Sequence, residues 1–281
     1  MAALEEATAT VDKDLATGGS EGATTGNGEP RSLARKAKSF LRERAPALLH
    51  IKTALDGIAE DARHAWWSRH RPLIDAWLSQ PRPRRLHLGA GAIAIEGWLN
   101  TDIDPRRGPA GNVFLDATKP FPLPDGCADC VFSEHMIEHL EHADGLAMLK
   151  ECRRVLAPGG ILRVATPDLT VLLGLHAKEL SDVQQKYIRY ITDHSIPGCP
   201  RYDQVFVINN NFRAWGHRFI YDQAMLRASL EEAGFVDIVM HRMGESADPT
   251  LAGLETHACK AGFGDMAAFE TMCFEARAPK A

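Results

Sequence analysis

Apolar and polar positions along the chain follow two periods, and the places where the period changes divide it into elements. From Arg84 onward, short apolar runs of strand length alternate with stretches of helical spacing. Arg85-Leu86-His87-Leu88 predicts a first strand and Leu99-Asn100-Thr101 a second, while Val113-Phe114-Leu115 and Cys130 to Ser133 predict a third and a fourth. Gly145 to Leu156 has the apolar period of a helix and stops at Pro158-Gly159-Gly160. Ile161 to Ala165 predicts a fifth strand. Asp222 to Ala233 predicts another helix, with Asp222 to cap its start and Gly234 its end. Val236 to Met240 and Phe269 to Phe274 supply the last two strands. The alternation predicts an α/β domain over 84–281: a mostly parallel sheet of about seven strands with helices on both faces. Residues 167–221 break the alternation and read as an insertion after the fifth strand, where such segments shape a substrate site.

The chain before Arg84 is different in kind. Residues 1–30 are Ala, Thr, Gly, Ser and Glu with few large apolar side chains, too little to offset the entropy of ordering, and predict a disordered tail. Residues 31–83 predict a basic helical extension. Leu33, Ala37, Phe40, Leu41, Leu48 and Leu49 recur near helical spacing among Arg35, Lys36, Lys38, Arg42 and Arg44. A second stretch carries Trp66, Trp67, Leu73, Ile74, Trp77 and Leu78, and Gln80-Pro81-Arg82-Pro83 reads as a hinge. A basic amphipathic helix can lie on an anionic membrane surface. The plainer expectation is that these helices pack on the following domain or on another protein subunit, so an oligomer is open.

Composition narrows the function classes. A formal net charge of -5 over 281 residues argues against a nucleic-acid partner. Acidic residues near the N-terminus and the lack of a long apolar run predict a cytoplasmic protein. The six cysteines are scattered, and Cys127 and Cys130, though spaced CxxC, have no matching second pair and read as core residues.

The chemistry gathers at strand ends. Gly89-Ala90-Gly91 after the first strand permits a sharp turn and close approach to a ligand. Asp102 ends the second strand, where a carboxylate can accept hydrogen bonds from both hydroxyls of a ribose, and Asp116 ends the third. Three such signals point to one crevice for an adenosine-containing ligand. A dinucleotide fits less well, because Ala94 stands where a third glycine is needed and the connection leaves little room for a phosphate-binding helix.

These motifs resemble class I S-adenosylmethionine (SAM)-dependent methyltransferases. Leu86 to Gly91, Gly97-Trp98-Leu99-Asn100-Thr101-Asp102-Ile103-Asp104-Pro105 and Leu115-Asp116 look like the family's early motifs. Phe121-Pro122-Leu123-Pro124-Asp125-Gly126, Glu138-His139-Leu140 and Arg154 to Gly160 look like its central ones. The resemblance is strongest to a methyltransferase group associated with polysaccharide synthesis, in which Asn211 to Phe219 also has a counterpart. It implies a Rossmann-like fold, SAM as cofactor, and a small-molecule or glycan acceptor, with a sugar hydroxyl favoured. It would place Gly89, Ala90 and Gly91 at the methionine end, Asp102 and neighbouring Ile103 at the ribose, and Asp116 and Ala117 at the adenine. Ser133, Glu134 and His135 would line the methyl-transfer side. His87 departs from the pattern, since many relatives carry an acid there. His217, beside Trp215 and Arg218 in the insertion, is a candidate base or a structural anchor, with His135 the second catalytic candidate. Trp215 would offer a platform to a sugar and Arg218 would hold an acidic group. No metal is expected: Met136 stands where the HExxH pattern of metalloproteases requires Glu. The alternatives are a non-catalytic SAM-binding regulator and a nicotinamide oxidoreductase.

Overall fold

A computed structural model of the protein describes residues 65, 68–108, 111–256 and 264–280. The expected tail, the helix around Leu33 to Leu49, and Trp66 and Trp67 lie outside the described residues.

Helix α1 covers 68–78 and buries His70, Ile74 and Trp77, positions spaced four and three apart on one helical face. Seven strands follow: β1 (Arg85–Leu88), β2 (Leu99–Asp102), β3 (Val113–Phe114), β4 (Ala128–Glu134), β5 (Leu156–Pro167), β6 (Val236–His241) and β7 (Thr271–Arg277). Helix α2 (His142–Val155) joins β4 to β5. Between β5 and β6 lie α3 (Leu169–Gly174), α4 (Asp182–Ser195), α5 (Gln204–Arg213) and α6 (Gln223–Glu232), and α7 (Gly264–Glu270) precedes β7. Caps fix the helix starts: Asp222 accepts from the Met225 amide, and Ser181 and Gln184 form a reciprocal capping box.

The strands form one sheet in the order β3-β2-β1-β4-β5-β7-β6. β1 to β5 pair in parallel, and β7 runs antiparallel to both β5 and β6. This is the Rossmann-like, mostly parallel sheet expected from the strand and helix alternation. Phe269 and Glu270, placed in the last strand by their apolar context, instead end α7, and the strand starts at Thr271.

The chain leaves β1 toward β2 and β3, then crosses back to β4 on the other side of β1. Connections therefore diverge above the carboxyl ends of β1 and β4, which opens a crevice at this switch point.

The two faces of the sheet pack differently. Leu86, Leu88, Val131, Leu162, Val164 and Phe274 belong to a core shared with Ile74 and Trp77 of α1, Met148 and Leu149 of α2, and Leu226 and Leu230 of α6. On the opposite face Trp98, Cys130, Phe132 and Ile161 pack with Leu251, which comes from the 242–256 segment. Cys127 and Cys130 are buried free thiols, as core residues would be. A third cluster around Leu172, Tyr187, Ile191 and Val207 ties the insertion helices together.

Two polar devices hold the periphery. The His70 imidazole accepts a 3.0 Å hydrogen bond from the Phe114 amide, tying α1 to the edge strand β3. Burial and neighbouring Arg69 keep that ring's pKa below the ordinary value, so it is the neutral acceptor the bond requires. Under the other face, fully buried Arg163 binds Glu255 at 2.5 Å, Glu275 at 2.6 Å and the Glu245 carbonyl at 2.9 Å. The segment is thereby clamped to β5 and β7.

Trp77→Ala should cost about 3–5 kcal/mol by urea unfolding, because a large side chain leaves a packed core. Leu73→Ala, at a 43% exposed site on the same helix, should change stability by about 0.5 kcal/mol or less. Arg163→Ala leaves two buried carboxylates without their cation and should cost about 3–5 kcal/mol in the same measurement.

Candidate functional site

At the carboxyl end of β1 the backbone turns through Gly89 and Gly91, both at positive φ (67° and 51°). A Cβ on Gly89 would lie 2.5 Å from Met136 Cγ, so the position excludes a side chain twice over. The amides of this loop are already organised. Ala90 N–H donates to the Thr101 carbonyl at 2.9 Å, and Gly91 N–H donates to Asp102 Oδ2 at 2.9 Å. The other Asp102 oxygen accepts from the Asp104 amide at 2.7 Å.

The short connection from β1 to β2 has no helix to hold it, and Asn100 does that work. Its amide group accepts from the Ile95 N–H and donates to the Ile95 and Trp98 carbonyls. Asn112, buried beyond β2, donates to the Gly91 carbonyl at 3.2 Å. His87, under the loop, sets Nδ1 3.0 Å from Asn100 Oδ1 and stacks on Phe132. Burial lowers its pKa despite the Asn100 contact.

A cavity of about 390 Å³ begins at this loop. His87, Gly89, Ala90, Gly91, Ala92 and Ile93 form one end, and Glu134, His135, Glu138 and His139 continue it from the end of β4. The insertion closes the rest with Tyr190, Ile191, Ser195, Asn211, Trp215 and His217, while Pro167 and Glu270 complete the wall.

Of the residues expected from sequence, the cavity brings together Gly89, Ala90, Gly91, Glu134, His135 and His217. Asp102 lies directly behind them, joined through Gly91. Ile103 is 63% exposed outside the cavity wall. Asp116 Oδ1 is engaged by the Thr118 amide and hydroxyl, and neighbouring Ala117 packs on the core. Ser133 departs from expectation. It alternates into the sheet, is fully buried and does not reach the cavity. Arg218 also departs: it pairs with Glu141 at 3.1 Å on the surface.

The centre of the cavity is polar and charged. His135 follows β4 at φ 46°, an unusual conformation for a side-chain-bearing residue, held by its N–H bond to the Ala165 carbonyl. Its Nδ1 lies 3.2 Å from Glu138 Oε1 and its Nε2 3.1 Å from Thr271 Oγ1. Burial opposes charge on this ring, but Glu138, Glu270 and Glu134 outweigh it and raise its pKa. Burial likewise opposes charge on Glu138, and the His135 pairing outweighs it, so that carboxylate is held below its ordinary range. Glu270 goes the other way: burial raises its pKa, and Tyr187 OH bonds to it.

His217 stands across the cavity. Its Nδ1 is 2.8 Å from the Asn211 carbonyl, which makes Nδ1–H the donor and leaves Nε2 with a free lone pair. Burial lowers its pKa, so the ring is neutral at neutral pH. Trp215, at φ 59°, and Gly216 make the turn that presents it. Tyr190, Ser195 and Glu270 were not identified from sequence, and Asn211 opened a motif there without a role of its own. They reach the cavity through packing of α4, α5 and α7.

Comparison with known proteins bears on the segment between β2 and β5. Residues 104–164 match the family model described as a methyltransferase domain. An uncharacterized 37.1 kDa protein in transposon TN4556 of Streptomyces fradiae is 38% identical over 142 residues, covering 43% of this chain. This chain spans 40% of the length of that relative. A SAM-dependent methyltransferase from Archaeoglobus fulgidus aligns at 18% identity over 76% of this chain and 94% of its own, with a TM-score of 0.43. One from Mesorhizobium loti aligns at 16% identity over 73% and 96%, with a TM-score of 0.44.

Asp102→Ala removes the carboxylate that orients Gly91 from behind the cavity wall. It should weaken S-adenosylhomocysteine binding by about 1–3 kcal/mol in calorimetry while far-UV circular dichroism stays unchanged.

Proposed function

We propose that the chain transfers a methyl group from SAM to a hydroxyl of a small-molecule or glycoconjugate acceptor, with a sugar hydroxyl the favoured target. The observation that carries this reading is a continuous cavity joining the Gly89–Ile93 loop at the switch point to a histidine-bearing wall from the insertion. Donor and acceptor need adjoining places for an in-line displacement, and one continuous cavity offers both.

The residues present fit SAM. Gly89 makes room for Met136, and at Gly91 nothing lies within 4 Å of where a Cβ would stand, which leaves the loop backbone open to a close ligand. Each Asp102 oxygen has one amide donor and keeps a lone pair for a ribose hydroxyl. Exposed Ile103 beside it offers an apolar face to the adenine. No phosphate-binding helix is needed, because SAM has no phosphate. SAM supplies an electrophilic methyl group on a sulfonium.

The chain's own residues do the rest. Trp215, half-exposed in the wall, can stack on the apolar face of a sugar ring. His217 Nε2 offers its lone pair to the acceptor hydroxyl, and the neutral ring can take that proton as the oxygen reacts. Glu138 leads the carboxylates that raise the His135 pKa against burial, and the pairing holds that ring as a donor toward Glu138. The insertion supplies the wall of the cavity opposite the Gly89–Ile93 loop.

His217→Gln keeps size and polarity but cannot act as that base. Methyl-label transfer into a responsive acceptor should fall about 10²–10⁴-fold, with S-adenosylhomocysteine affinity nearly unchanged. Near-normal turnover in the variant would remove His217 from the reaction.

A further inference from the structure

Three groups that the sequence keeps apart meet in the cavity wall. Glu138, His139 and His217 each offer one ligand atom, and the three atoms lie within 4.8 Å of one another. Glu138 and His139 are adjacent on the turn after β4, while His217 arrives from the end of the insertion. The two imidazoles meet edge to face, with centroids 5.1 Å apart and planes at 75°.

We infer that Glu138, His139 and His217 form a binding site for a divalent transition-metal ion of the zinc class, open on one side to the cavity. Two imidazoles and a carboxylate are a borderline donor set, suited to zinc, cobalt or iron(II) over magnesium or calcium. Three protein ligands leave a fourth position, which an oxygen of the acceptor can occupy. Bonds of about 2.0–2.1 Å put tetrahedral ligand atoms about 3.4 Å apart, so closure asks only for side-chain rotation of about an ångström.

Two further observations point to a ligand. The His217 Nδ1–H bond to the Asn211 carbonyl fixes the tautomer with Nε2 exposed, the support that metal-binding histidines usually have. Asn211 is itself fully buried, and its side chain is anchored to the Val207 carbonyl. The Glu138 carboxylate is fully buried: Oε2 accepts from Thr166 Oγ1 at 2.9 Å, whereas Oε1 is paired with the His135 ring. Oε1 is 3.2 Å from His135 Nδ1, so a bound cation would share Glu138 with that ring. The HExxH pattern fails in this chain, yet the fold assembles two histidines and a glutamate without it.

The inference rests on the proposed reading of the cavity and changes one detail. With a cation bound, His217 orients the acceptor through the metal instead of taking its proton.

The test is metal binding by the full chain, which needs no acceptor. Chelator-treated protein should bind one Zn²⁺ per chain in calorimetry, and Co²⁺ should give the visible absorption of a four-coordinate, nitrogen-ligated site. His139→Ala and His217→Ala should each weaken Zn²⁺ about tenfold or more, whereas His176→Ala, at an exposed site elsewhere, should not. Absence of saturable Zn²⁺ binding and of the Co²⁺ band in the unsubstituted chain overturns the inference without reference to any variant. Binding that survives in the His139→Ala/His217→Ala double variant also overturns it. S-adenosylhomocysteine calorimetry on the chelated protein separates the two readings. Its binding without Zn²⁺ binding sinks the metal site alone, and the reverse result sinks the methyl-donor assignment alone.

Discussion

A fully buried carboxylate must be compensated, and the way Glu138 is compensated organises the active end of this molecule. Its side chain takes the Thr166 hydroxyl from β5 and faces the His135 ring at the end of β4. Its backbone carbonyl accepts from the amides of Arg218 and Phe219, which dock the tail of the insertion. One residue thus connects two central strands with the segment that carries Trp215 and His217. The raised pKa of His135 follows from the side-chain pairing, and the backbone docking sets His217 beside His139. Nearby Tyr221, its hydroxyl buried close to Glu138, is pushed up to about 12 by burial first and that charge second.

The β1 side of the cavity depends on a different arrangement. A doubly wound sheet usually places a helix after its first strand, yet here ten residues, from Gly89 to Trp98, suffice. Asn100, Asn112 and Asp102 each spend side-chain hydrogen bonds on that loop, replacing what a helix would hold by packing. The loop is preorganised by these polar groups, and Asp102 ties it to the end of β2.

The second face of the sheet shows the same substitution of polar clamps for helices. Arg163 points there from the middle of β5, where a central strand would ordinarily bury an apolar residue. Glu255 and Glu275 neutralise it, and the Glu255 carboxylate also holds the Gly244 amide. The Thr256 amide then reaches Glu134 in the cavity wall, so the clamped segment touches the site it flanks.

Local pattern determined much of this protein. Seven strand positions, the helices before β5 and β6, and the Asp222 cap were legible because strand and helix periods and caps are properties of neighbouring residues. Gly89-Ala90-Gly91 and Asp102 were legible for the same reason, as each sits at a strand end that the pattern itself marks. The start of β7 was misplaced because Phe269 is apolar for packing against Tyr187 in the insertion cluster, not for pairing in the sheet. Ser133 does not line the cavity because its side chain points to the core face shared with Leu88 and Val164, a matter of alternation within β4 that motif resemblance does not register. Tertiary structure alone decided which distant groups meet: Tyr190, Asn211 and Glu270 at the cavity, His70 on the β3 edge, and His217 against His139. Those contacts join residues far apart in sequence, and their spacing along the chain carries no period to read.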